Sequence, residues 1–127
     1  MALAPAPQQL VQKHIQIGNA LVSVEVADTA ALREQGLSGH APLGEESGML
    51  FVFETEGVWG IWMKKMLFPI DIVWADASGT VVTVAFAVEP DSYPHIFYPS
   101  APARYVVELP AGFAAAHGIA EGTRIKI

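Results

Sequence analysis

Lys64 and Asp71 are the residues whose types and spacing point first to chemistry. Six residues separate them, Pro69 among them, and both lie in residues 48–76, which hold all three tryptophans and three of the four methionines. Charges set among so much apolar surface are costly unless paired or solvated. If the strands on either side of Pro69 pair as a hairpin, the two side chains share one end of a sheet. A fixed cation beside a fixed anion can hold a zwitterion or move a proton. The bland alternative is a structural ion pair or a carboxylate capping a turn. Ser100 and Glu108 are candidates to join the pair, with Tyr98 and Trp62 as walls.

The remaining candidates weigh less. Ser100 with a lysine nearby has the composition of a serine–lysine nucleophile pair, but a serine that follows Pro99 in a loop is ordinarily a turn residue, and no Gly-x-Ser-x-Gly is present. Glu108 stands in an apolar run, where one outward-facing carboxylate is the plain expectation. His14, His40, His95 and His117 show no ligand spacing, so no metal site is expected. Met49, Met63 and Met66 are soft enough for cuprous ion, yet methionines among aromatics usually pack a core. Trp59, Trp62 and Trp74 offer a stacking platform for a saccharide, but alternation puts Trp59 and Trp62 on opposite faces. No cofactor-binding loop appears.

The elements that must position these residues follow from composition and pattern. At 127 residues, 52% hydrophobic and 16% charged, the chain reads as one domain, residues 10–127, with strands buried on both faces. Its apolar runs fall far short of the ~20 residues of a transmembrane helix. A net charge of -6, with Lys64 and Lys65 the only adjacent basic pair, argues against nucleic acid. There is no cysteine, hence no disulfide framework and no thiolate chemistry. Residues 1–9 lack the basic and apolar regions of a signal peptide but carry Ala2-Leu3-Ala4, a small-x-small step of the kind found at cleavage sites, and then a Pro-rich stretch. They read as a disordered lead-in near the mature end of an exported protein.

Alternation predicts a hairpin of residues 10–17 and 20–27 across Gly18-Asn19. A short helix over 30–35 follows, capped by Asp28 or Thr29 and ended by Gly36. After a polar loop, 49–53 has no polar face and should be a central strand. Residues 54–57 then turn the chain and 58–64 return it. Strands at 70–75 and 80–88 flank the Asp76-Ala77-Ser78-Gly79 turn. Residues 89–103 read as a long loop, 104–109 as a strand, 111–117 as a short helix and 123–127 as a last strand. The fold class is mainly β, an antiparallel sandwich or barrel with two short helices.

Several blocks also resemble a known family. Gly36-Leu37, Gly48-Met49-Leu50-Phe51-Val52-Phe53, Trp62-Met63-Lys64, Pro69-Ile70-Asp71-Ile72, Tyr98-Pro99-Ser100 and Val107-Glu108-Leu109-Pro110-Ala111-Gly112 are similar to the domain-of-unknown-function 192 family of bacteria and archaea. The resemblance covers residue 24 to the end. It implies a mainly β domain, often behind a signal peptide or lipoprotein leader, with no established activity. The family usually continues Trp-Met-Lys with Asn-Thr, where this chain has Lys65-Met66, and many members carry a cysteine before Tyr-Pro-Ser, which is absent here.

Together these features predict an extracytoplasmic module, periplasmic or secreted, binding a small molecule, a saccharide or a protein partner. Its site would be Trp62, Lys64, Asp71, Tyr98, Ser100 and Glu108. The alternatives are a hydrolase or lyase with Asp71 or Glu108 as general base, and a structural surface protein.

Overall fold

Gly18, at φ +58°, turns the chain so that β1 (Val11–Ile17) and β2 (Ala20–Ala27) pair antiparallel from Ile17–Ala20 outward. The computed structural model describes residues 10–127; the expectation for residues 1–9 lies outside them. Thr29 accepts a hydrogen bond from the Leu32 amide and caps α1 (Ala30–Gln35), which ends at Gly36. β3 (Ser47–Gly57) follows, then β4 (Ile61–Trp62), β5 (Ile70–Ala75), β6 (Val81–Val88), β7 (Ile96–Phe97), β8 (Ala103–Pro110), α2 (Phe113–Ala116) and β9 (Ile125–Lys126).

Seven strands form one sheet in the order β6-β5-β8-β3-β2-β1-β9, and β4 pairs with β7 in a separate ribbon. The two edges of the large sheet meet. Thr80 bridges Arg124, the Ile125 amide donates to the Gly79 carbonyl (2.7 Å), and the Val81 amide donates to the Thr123 carbonyl (2.9 Å). The sheet is therefore curled like a barrel, which decides between the two architectures expected. One pairing departs from the antiparallel expectation: β2 and β3 run parallel. Parallel neighbours need a crossover connection, and α1 with residues 36–46 supplies it.

Both faces of the sheet are buried. Ile15, Val22, Leu50, Val73, Val107 and Leu109 fill the concave side, closed by Phe113, Ala114 and Ile119. Met49, Phe51, Ile72, Trp74 and Val106 form the other face under Leu37, Met63, Met66 and Phe68. The methionines are thus core. Gly48 lets β3 and β8 close up, since a Cβ there would stand 2.5 Å from the Glu108 carbonyl oxygen.

Two expectations are corrected. Residues 54–57 continue β3 past a register shift between Val52 and Gly57. The expected return strand at 58–64 shrinks to β4, which pairs with β7 instead of β3. Trp59 explains the diversion. It stacks on Phe53 with ring centroids 4.7 Å apart, and its backbone carbonyl accepts from Trp74 Nε1 at 2.9 Å. The chain is pinned down over Trp74 rather than running on along β3. The long loop at 89–103 also holds structure, a 3₁₀ turn at Pro90–Ser92 and β7.

Candidate functional site

Asp71 is fully buried, and both of its carboxylate oxygens are taken by backbone amides. Oδ1 accepts from the Ala87 amide at 2.7 Å and Oδ2 from the Ala114 amide at 2.9 Å. Ala87 has φ +47° in a bulge of β6, where the register against β5 shifts between Ile70 and Ile72. Ala114 lies in the first turn of α2. Asp71 therefore braces a strained bulge and caps a helix. The expected Lys64–Asp71 pair does not form, and Asp71 lines neither of the pockets that hold Glu108 and Lys64.

The register of the sheet gives the reason. Asp71 opposes Leu109 and Ile72 opposes Glu108 across β5 and β8. Cross-strand partners share a face, while successive residues alternate. Asp71 therefore falls on the concave side with Val73 and Leu109, and Glu108 on the opposite side with Met49 and Ile72.

Glu108 is the unusual residue on that second side. Its side chain is only 4% exposed, flanked by Met49 on β3 and Ile72 on β5. Among the described residues nothing hydrogen-bonds its carboxyl, yet no buried side-chain oxygen is left without either a partner or an opening. The opening is a cavity of about 200 Å³, with Glu108 on its floor. Its walls are Arg33, Gln35, Leu37 and Ser38 from α1 and the turn after it, Phe51 from β3, Met66, and Gly60 to Trp62 around β4. Burial alone pushes the Glu108 carboxyl up to about 8, because desolvation disfavours the charged form. Near neutral pH it is a carboxylic acid, able both to donate and to accept a hydrogen bond.

Trp62 joins this cavity to a second depression. It is 44% exposed and lines both, as do Glu34, Gln35 and Ser38. Lys64 and Lys65 line the second. Lys64 is exposed, with Nζ 5.4 Å from the centre of the Trp62 ring. The Lys64–Lys65 turn is tied to the turn after α1: Ser38 Oγ donates to the Lys64 carbonyl (3.0 Å) and the Gly39 amide to the Lys65 carbonyl (2.9 Å). Lys65 adopts φ +58° to make that turn. Arg33 is partly committed, with Nη1 donating to the Val52 carbonyl at 2.9 Å and its guanidinium over the Phe53 ring.

Of the six expected site residues, Trp62, Lys64 and Glu108 come together, Asp71 faces the other way, and two are peripheral. Tyr98 is exposed and rests on the outside of Gly60, where a Cβ would lie 2.7 Å from its ring. It backs the cavity wall without lining it. Ser100 is bound to β6, its amide donating to Thr83 Oγ1 (2.8 Å) and its hydroxyl lying 2.9 Å from the same oxygen. The expected hydrogen-bond role beside Lys64 is corrected, because Ser100 is a loop fastener beside Thr83. Sequence reasoning missed Arg33, Gln35 and Ser38, which reach the site through the β2–β3 crossover. The Gly36-Leu37 block was their only signal.

A crystal structure from Sinorhizobium meliloti 1021, a "putative transcription regulator", is 27% identical with a TM-score of 0.89, over 95% of this chain and 97% of that one. A protein of unknown function from Novosphingobium aromaticivorans DSM 12444 is 25% identical with a TM-score of 0.86, over 99% of this chain and 94% of that one. No curated protein matches the chain. The family described as Uncharacterized ACR, DUF192, matches residues 13–127, and the chain belongs to that family.

Proposed function

We propose that the protein is a small-molecule-binding module whose site is the cavity floored by Glu108. The observation that carries this reading is a carboxyl almost wholly withdrawn from water on an apolar face, without a protein partner among the described residues and opening only into a cavity. A buried polar group left unpaired costs about 1–3 kcal/mol. Here the carboxyl escapes that cost only by opening into the cavity, so a ligand that fills the cavity must pair with it. The polar site proposed here keeps Trp62, Lys64 and Glu108 and drops Asp71. An extracytoplasmic setting is part of the proposal.

The raised Glu108 carboxyl also favours a second reading, a general acid in a hydrolase or lyase. Binding is preferred because the Ser38 hydroxyl in the lining is spent on the Lys64 carbonyl and no histidine or second buried carboxyl stands beside Glu108 among the lining residues. The regulator description belongs to the Sinorhizobium protein. A net charge of -6 gives this chain little attraction for a phosphate backbone.

A fragment screen read by amide and methyl NMR tests the proposal. Binders should perturb Leu37, Ile61, Met66 and Glu108. Binders that leave all of these unmoved in every case would refute it.

A further inference from the structure

The charge around the Glu108 cavity runs against that of the whole chain. Arg33, Lys64 and Lys65 line the two joined depressions, and Glu34 is the one carboxylate opposing them once Glu108 is protonated. The molecule as a whole carries -6. A cationic mouth on an acidic protein concentrates anions locally. A cationic ligand is disfavoured for a second reason: the face of Trp62, where a ligand cation would sit, is already covered by the Lys64 ammonium at 5.4 Å.

The floor asks for different chemistry. A neutral carboxylic acid donates one hydrogen bond and accepts others, which matches a hydroxyl better than a second charge. The lining also includes Phe51 and Met66, apolar surfaces suited to the C–H face of a ring. The cavity, about 200 Å³, and the adjoining depression, about 370 Å³, together fall within the ~300–1,000 Å³ of small-molecule sites. They have room for a ring with its substituents.

We propose that the site takes a hydroxylated carboxylic acid of the sugar-acid type, with a ring hydroxyl on Glu108, the C–H face of the ring against the lining at Phe51 and Met66, and the carboxylate on Lys64. This rests on the Glu108 cavity being a binding site at all. The polar atoms that would meet the ligand are Glu108 Oε and Lys64 Nζ. The Arg33 guanidinium is held back by Val52 and Phe53.

The test is calorimetric titration of the whole chain with glucuronate, glucose and glucosamine, which share a ring and differ in charge. Glucuronate should bind at least about tenfold more tightly than either of the others, since one charge-assisted hydrogen bond is worth about tenfold or more. Lys64→Glu, at an exposed position where folding is not at risk, should remove that preference and shift it toward glucosamine. Glu108→Gln, which keeps a donor and an acceptor, should hold glucuronate within about threefold, whereas Glu108→Leu should lose it. Tighter binding of glucosamine or glucose by the unmodified chain would overturn the ligand class while leaving the cavity a binding site. The same follows if an unrelated fragment alone perturbs the cavity. Failure of every fragment to reach Glu108 would overturn both.

Discussion

Asp71 and Glu108 are diagonal neighbours across the β5–β8 ladder, and they point to opposite faces of the sheet. One carboxylate has both oxygens occupied by amides, and the other has no protein partner among the described residues. Two buried acids a few residues apart in space thus do different work, the first holding the fold and the second offering itself to a cavity.

Replacing Asp71 by alanine should destabilise the protein by about 2–5 kcal/mol, because the Ala87 and Ala114 amides lose their acceptor inside the core. Denaturant unfolding measures it. Any variant stable enough to assay should keep its ligand affinity at the Glu108 cavity. A loss below about 1 kcal/mol would mean that Asp71 is not the brace described.

Glu108 should make stability depend on pH with an unusual sign. Its folded value is raised to about 8, above the ~4.3 of a free glutamate. The folded state therefore keeps a proton that the unfolded chain has released. Its contribution is most favourable below about pH 4.3 and declines as pH rises toward 8, by at most about 1.4 kcal/mol per pH unit. Glu108→Gln should flatten this slope, as seen by comparing unfolding of the two proteins from pH 5 to 8. Parallel curves would contradict the burial.

The His40 imidazole carries the same dependence in milder form. A hydrogen bond to the Ala41 carbonyl raises its pKa, and Glu25 adds to the rise, with Nε2 3.1 Å from Glu25 Oε1. A raised histidine stabilises fully below the ordinary value of ~6.5, and the effect is lost as pH climbs through the folded value. His40→Ala should therefore cost more at pH 5.5 than at pH 8.5. For a partly exposed pair the difference should be about 0.2–1 kcal/mol. Equal losses at both pH values would show that the pair adds nothing.

Lys65 stands at φ +58°, a region that penalises most side chains and suits asparagine. Members of the family usually have asparagine after Trp-Met-Lys. Lys65→Asn should stabilise the turn by about 0.5–1 kcal/mol in thermal unfolding. A destabilised variant would argue that the lysine side chain makes up for the strain.

These residues also mark what the sequence made legible. Local chemistry was readable: the Gly18-Asn19 turn, the Thr29 cap, the Gly36 stop and the unbroken apolar run of β3 each have a nearest-neighbour cause. The family blocks were readable as well, and they contain Trp62, Lys64 and Glu108. Long-range register was not. Nothing local distinguishes an Asp71 that faces α2 from one that faces Lys64, because a strand places its side chains by pairing partners far away in sequence. Arg33 and Ser38 were hidden for the same reason. They enter the site through a parallel crossover that an all-antiparallel reading does not contain.

Everything proposed for the site depends on Glu108 being a buried acid without a protein partner, and a ¹³C NMR titration of its carboxyl carbon measures that state directly. A midpoint near pH 8, falling to no titration signal in Glu108→Gln, is the result predicted here. A midpoint in the ordinary carboxylate range near 4.3 would mean a solvated or paired carboxylate, and the cavity would lose its claim to be a binding site.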